Sequence, residues 1–210
     1  MKLFLFFILI APTFAFAAIK MAVTVDDLPI HGKLPPGISR LEIAKSMIAT
    51  LRSYRVPEVY GFINAGKIEQ DKELTEILNL WVKSGYPLGN HTFSHKSLNN
   101  FSAEKFNKEI TANEAALKAI NGSFDWHYFR YPFLHEGDTL EKRNSVRDYL
   151  KANKYKIAYV TDEFEDWAWN DPYARCKSKN DLKSILNLTQ SYVKAAFDRL
   201  HRDGEILNAL

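Results

Sequence analysis

The chain has 210 residues, 46% of them hydrophobic and 13% aromatic, which is enough apolar material for one core of ordinary domain size and excludes a disordered chain. Its 28 basic and 25 acidic residues leave a formal charge of +3 and are scattered without a long run of one sign, which argues against a nucleic-acid partner. The single cysteine, Cys176, excludes an intrachain disulfide and a cysteine-rich zinc site, so any metal has to be held by histidine and carboxylate.

The first residues, MKLFLFFILIAPTFAFAA, combine Lys2, an apolar stretch from Leu3 to Ile10 and small residues in an AxA arrangement at Ala15 and Ala17. This predicts an export signal over residues 1–17, removed from a periplasmic or extracellular protein. The apolar run is broken by Pro12 and is shorter than the about 20 residues of a membrane span, so no stable membrane insertion is expected after cleavage. Residues 18–210 then read as one domain.

IKMAVTVDD, from Ile19 to Asp27, is an apolar β-branched run ending in two acids, as expected of a buried parallel strand. After a loop rich in Pro and Gly, the spacing of Leu41, Ala44, Met47, Ile48 and Leu51 predicts a helix from Arg40 to Tyr54 with Ser39 as its N-cap. The alternation continues with strand EVYGFIN, a helix over 71–83, strand YPLGNH and a helix over 102–120. Strand HYFRYP, a helix over 138–153, strand YKIAYVTD and a last helix over 180–201 complete it. Strands separated by single helices predict a parallel sheet, open or closed into a barrel. Asp26, Asp27, Asn64, His91, Arg130 and Asp162 all fall at or near C-terminal strand ends, the edge where βα folds bind ligands.

His91 and His95, four residues apart in GNHTFSH, can turn both imidazoles to one point if a helical turn begins after Asn90. With one carboxylate they make a ligand set for a catalytic zinc; the alternative is two surface histidines at a helix start. The adjacent acids Asp26 and Asp27 end an apolar strand, where a cation beside them would offset their burial; the alternative is a solvated turn or cap. Because neighbouring strand residues point in different directions, one acid can bind a metal while the other serves as a base. Arg130 in FRYPF offers the fixed donors that orient a carboxylate, unless it faces outward on an edge strand. EFEDWAWND places Asp166 beside Trp167 and Trp169, suited to a sugar groove or to ordinary core packing.

Taken in order, these segments resemble the polysaccharide deacetylases of carbohydrate esterase family four, the NodB-type homology domain. TVDD resembles the family's T-F-D-D, which implies Asp26 as catalytic base and Asp27 as metal ligand. HTFSH matches H-[ST]-x-x-H and implies His91 and His95 as the other ligands. RYPF resembles the motif whose arginine, here Arg130, positions the base. EDW resembles the motif that would add Asp166 to the catalytic set and Trp167 to the substrate groove, where Tyr131 and Asn64 are also expected, and YGFINAG resembles the family's second strand. The resemblance implies an α/β fold, a deformed (β/α) barrel, and a divalent metal, zinc in the first place, used to remove N-acetyl groups from an acetylated polysaccharide such as peptidoglycan or a chitin-like glycan. It also implies a late L-x-H motif carrying the acid, which the sequence lacks after Trp167. The expectation is therefore a domain over 18–210 without its final strands, incomplete at its C-terminal end and weakened in activity and stability, unless His135 in FLHEG serves as the acid. Two other readings are open: an inactive exported carbohydrate-binding pseudoenzyme that keeps the metal site, and a metal-dependent amidohydrolase acting on a small molecule.

Overall fold

The computed structural model of the chain describes residues 21–29, 32–70 and 72–209. The segment read as an export signal, and Ile19 and Lys20 of the expected first strand, lie outside the described residues. Five strands, β1 (Val23–Leu28), β2 (Val59–Ile63), β3 (Leu88–Asn90), β4 (Tyr128–Phe129) and β5 (Lys156–Ile157), form one sheet in chain order, each parallel to its neighbours. Between them run α1 (Arg40–Ser53), α2 (Lys72–Lys83), α3 (Ala103–Ile120) and α4 (Leu140–Ala152). Each crossover advances one strand in the same direction, so right-handed connections put all four helices on one face. There α1 packs on α2, α2 on α3 and α3 on α4. The result is the wall of a (β/α) barrel, with β1 and β5 as its two edges among the described residues.

The helices begin where their caps predict. Ser39 Oγ accepts from Glu42 N while the Glu42 carboxylate accepts from Ser39 N, a complete capping box; Ser102 and Thr139 cap α3 and α4. In the strands, successive side chains alternate between faces. Val23, Val25, Val59, Ile63, Leu88 and Phe129 enter apolar clusters with residues of the helices, Ile48, Trp81, Leu117 and Phe106 among them. The opposite, concave face carries Thr24, Asp26, Tyr60, Phe62, Tyr128 and Arg130. The Tyr60 and Tyr128 rings there are 4.6 Å apart, and the Arg130 guanidinium sits 4.6 Å from the Phe62 ring.

Gly89 lets Phe62 lie flat on that face. A Cβ at this position would stand 2.7 Å from the Phe62 ring and 2.9 Å from the Tyr128 carbonyl oxygen. Because one obstacle is backbone, Gly89→Ala is expected to cost roughly 1–3 kcal/mol of stability, as overpacking usually does. Urea unfolding reads this as a lower midpoint; an unchanged midpoint would mean that the strands part here at no cost.

The structure departs from the sequence reading in two places. β4 and β5 are shorter than the runs HYFRYP and YKIAYVTD suggest. β4 ends because Pro132 has no N–H to offer the ladder and opens a 3₁₀ turn over Pro132–Leu134. The expected last helix over 180–201 is present as α6 (Leu182–Ala209), but a further helix, α5 (Asn170–Ser178), precedes it, and the two pack on each other and on the 3₁₀ turn Asp166–Trp169. α5 buries only Ala174, so it has no apolar stripe to betray it, although Pro172 sits in its first turn where a missing N–H does no harm. No described helix is long and apolar enough to cross a membrane.

Candidate active site

β1 and β2 pair regularly up to Val25 opposite Gly61, but Leu28 then stands opposite Ile63, so three steps on β1 match two on β2. The extra residue falls at Asp26–Asp27, where Asp27 takes a left-handed backbone with φ 62°. Aspartate tolerates that conformation better than most residues. In an unbroken strand Asp27 would face the helices. The bulge instead leaves Asp26 on the concave face, returns Leu28 to the core, and swings Asp27 over the strand end toward the histidines.

Asp27 Oδ1 lies 3.1 Å from His95 Nε2 and 3.5 Å from His91 Nε2, and one ligand atom from each of the three residues falls within 4.8 Å of the others. His91 is buried, and its Nδ1 is 2.8 Å from the Arg130 carbonyl oxygen, to which it donates in the tautomer that leaves Nε2 free as a ligand. The expected helical turn after Asn90 is absent. An irregular loop brings the rings together instead, with positive φ at Thr92 (65°) and His95 (53°). The His91 and His95 rings are 5.0 Å apart, and the Phe133 ring lies tilted against His95, 4.6 Å away.

Asp26 occupies the neighbouring position. Arg130 Nη1 donates to both of its carboxylate oxygens at 3.1 Å. The rest of the guanidinium is spoken for: Nε donates to the Ala158 carbonyl at 2.6 Å and Nη2 to Thr24 Oγ1 at 3.3 Å, with Phe62 against its face. Arg130 is only 3% exposed, whereas the Asp26 side chain is 33% exposed. A rigid buried cation thus holds a carboxylate that still reaches solvent, beside a cluster of two imidazoles and a second carboxylate.

The profile of the polysaccharide deacetylase family matches residues 16–158, more than half of the chain. The chain belongs to the polysaccharide deacetylase family. An uncharacterised 30.6 kDa protein of Geobacillus stearothermophilus is 27% identical over 100 residues, which make up 48% of this chain and 36% of that protein. Among solved structures, the Bc1960 peptidoglycan N-acetylglucosamine deacetylase superposes with a TM-score of 0.55 at 20% identity, over 70% of this chain and 59% of its own. The chitin deacetylase of the fungal pathogen Colletotrichum lindemuthianum gives 0.56 at 19% identity, over 85% and 81%. At these identities the likeness is one of fold. The chain spans about a third of the Geobacillus protein and somewhat less than two thirds of the Bc1960 enzyme.

Within this polysaccharide deacetylase chain the remaining predicted site residues are placed as follows. Asp166 and Trp167 are exposed on the 3₁₀ turn, and Asp166 lines a cavity of about 300 Å³ with Trp169, Asn170, Tyr173 and Tyr192. Arg130 makes no bond to Asp166; its donors are taken by Asp26, Thr24 and Ala158. Asp162 pairs with Arg199 of α6 at 3.2 Å. Tyr131 packs its ring toward the helices, against Phe106 and Phe129, where burial pushes its phenol well above the usual range, and it also lines a pocket with Arg130, Leu134, Ile157 and Ala158. Asn64 is buried too, with its amide given to the carbonyls of His91 and Thr92. His135 is exposed, with Nδ1 2.9 Å from Ser97 Oγ. Sequence reasoning missed Thr24, Phe133 and Asn90; only Asn90, a polar residue inside an apolar strand, carried a signal that could have found it.

Proposed function

We propose that this protein removes N-acetyl groups from an acetylated glycan, peptidoglycan or chitin-like, outside the cytoplasm, using Asp26 as base and a divalent ion, zinc, held by Asp27, His91 and His95. The observation that carries the reading is the division of two adjacent aspartates, one against a buried arginine and the other between two imidazoles. The donor set fits the ion: two neutral imidazole nitrogens and one carboxylate oxygen, close enough to share one centre, match a zinc site with a position left for water. When bound there, such an ion would acidify a water and polarise the amide carbonyl.

The chain's own residues do the rest. Asp26 takes the proton from the attacking water, and Arg130 keeps the carboxylate from rotating away while Ala158 and Thr24 keep Arg130 itself in place. Water adds to the carbonyl carbon; the tetrahedral oxyanion then collapses, the carbon–nitrogen bond breaks, the sugar nitrogen takes up a proton from solvent, and acetate leaves as Asp26 releases to solvent the proton it took. The exposed Phe133, whose ring lies 4.6 Å from that of His95, offers an apolar face for a sugar ring at the site, and the exposed Trp167 is a second candidate.

Acetate release from a panel of N-acetylated glycans, with and without a chelator, tests the proposal. Release that stops with chelator and returns with zinc is expected. Zinc uptake with glycan binding and no acetate would assign the chain as a carbohydrate-binding module instead, and release from small N-acetyl compounds alone would point to another amidohydrolase.

A further inference from the structure

Two histidines on an irregular loop keep one geometry only if the backbone between them is fixed, and that backbone is left-handed at Thr92 and His95. Two side chains grip it. Asn64 Nδ2 donates to the carbonyls of His91 at 2.6 Å and Thr92 at 3.0 Å, and Asn90 Oδ1 accepts from Thr92 N at 3.0 Å. Both grips lead back to one carboxamide on α3. Asn113 Nδ2 donates to the Ile63 carbonyl at 2.8 Å and its Oδ1 accepts from Ala65 N at 2.7 Å, so it holds the chain on either side of Asn64. The same Nδ2 donates to Asn90 Oδ1 at 3.0 Å.

Asn113 belongs to the buried row of α3 with Phe106, Ile110 and Leu117, where an apolar residue would serve packing and a carboxamide is costly unless all its groups are paired. Its bonds reach the end of β2 at Ile63, Ala65 just beyond it, and the end of β3 at Asn90. We infer that Asn113 is a positioning residue that sets the approach of His91 and His95 to Asp27 through Asn64 and Asn90; this rests on reading those three residues as a metal site. The same helix supplies the comparison. Asn121, its C-cap, is equally buried and pairs with the other end of β3, accepting from Leu88 N at 2.9 Å and donating to the Leu88 carbonyl at 3.1 Å.

The test measures zinc affinity of the full chain by competition with a fluorescent chelator, together with the cobalt(II) absorption band and the urea midpoint. Asn113→Ala is expected to weaken zinc binding by about 10–100-fold, the usual effect of losing a group that orients metal ligands, and to shift the cobalt band. Asn121→Ala is expected to lower the midpoint and leave zinc affinity and the cobalt band unchanged. Asn64→Ala removes one grip without disturbing α3 and should weaken zinc binding as well, so it decides the matter if Asn113→Ala does not fold. Wild-type affinity in Asn64→Ala and Asn113→Ala, or equal weakening in Asn121→Ala, would overturn the inference. A wild-type chain that takes up no zinc would overturn the metal reading, and the inference with it.

Discussion

Asp26→Asn is expected to slow acetate release by about 10²–10⁴-fold, the range over which a positioned base acts, with kcat carrying the loss and KM little changed. The substitution keeps the shape of the side chain and an oxygen for Arg130 Nη1, but an amide cannot take the proton of the attacking water. Arg130 would then keep its buried charge without a counter-ion. Its remaining bonds to Ala158 and Thr24 and its contact with Phe62 hold it in place, so the fold should survive with some loss of stability. Steady-state rates on one acetylated oligosaccharide decide it. A rate close to wild type would take the base role from Asp26.

His91→Ala is expected to abolish zinc retention through dialysis, and catalysis with it. His91 is the most enclosed of the three proposed ligands: its side chain is 3% exposed, against 18% for Asp27 and 23% for His95. Its ring is fixed from behind by the Arg130 carbonyl, so it contributes an imidazole that loses almost no freedom on binding. Asp27 and His95 alone leave a site with two protein ligands, below the three that a catalytic zinc ordinarily has. Metal content of the purified variant, measured after dialysis, should fall to near none; full content would show that the ion, if any, sits elsewhere.

Much of the frame was legible because local signals and burial agreed. Ser39 followed by the spacing of Leu41, Ala44 and Ile48 marks α1 to within a residue, and the βα alternation orders the sheet. The bulge was not legible, since a period of two cannot reveal an extra residue when both residues at the break are aspartates. The burial of Asn64 and of the Tyr131 ring was not legible for a related reason: position at a strand end says which edge a residue reaches, while the face it takes depends on register. Arg130 and Tyr131 are adjacent and face opposite ways. α5 stayed hidden because it has almost nothing to bury. Asn113, by contrast, could have been noticed as the one polar member of the row Phe106, Ile110, Asn113, Leu117.

The division of labour between the two adjacent aspartates is the centre of the account, and zinc stoichiometry of Asp26→Asn and Asp27→Asn, measured side by side after identical dialysis, tests it most directly. Asp26→Asn should retain its zinc and Asp27→Asn should lose it, because only Asp27 is carried by the bulge to the histidines. Equal loss in both variants, or loss in Asp26→Asn alone, would contradict it.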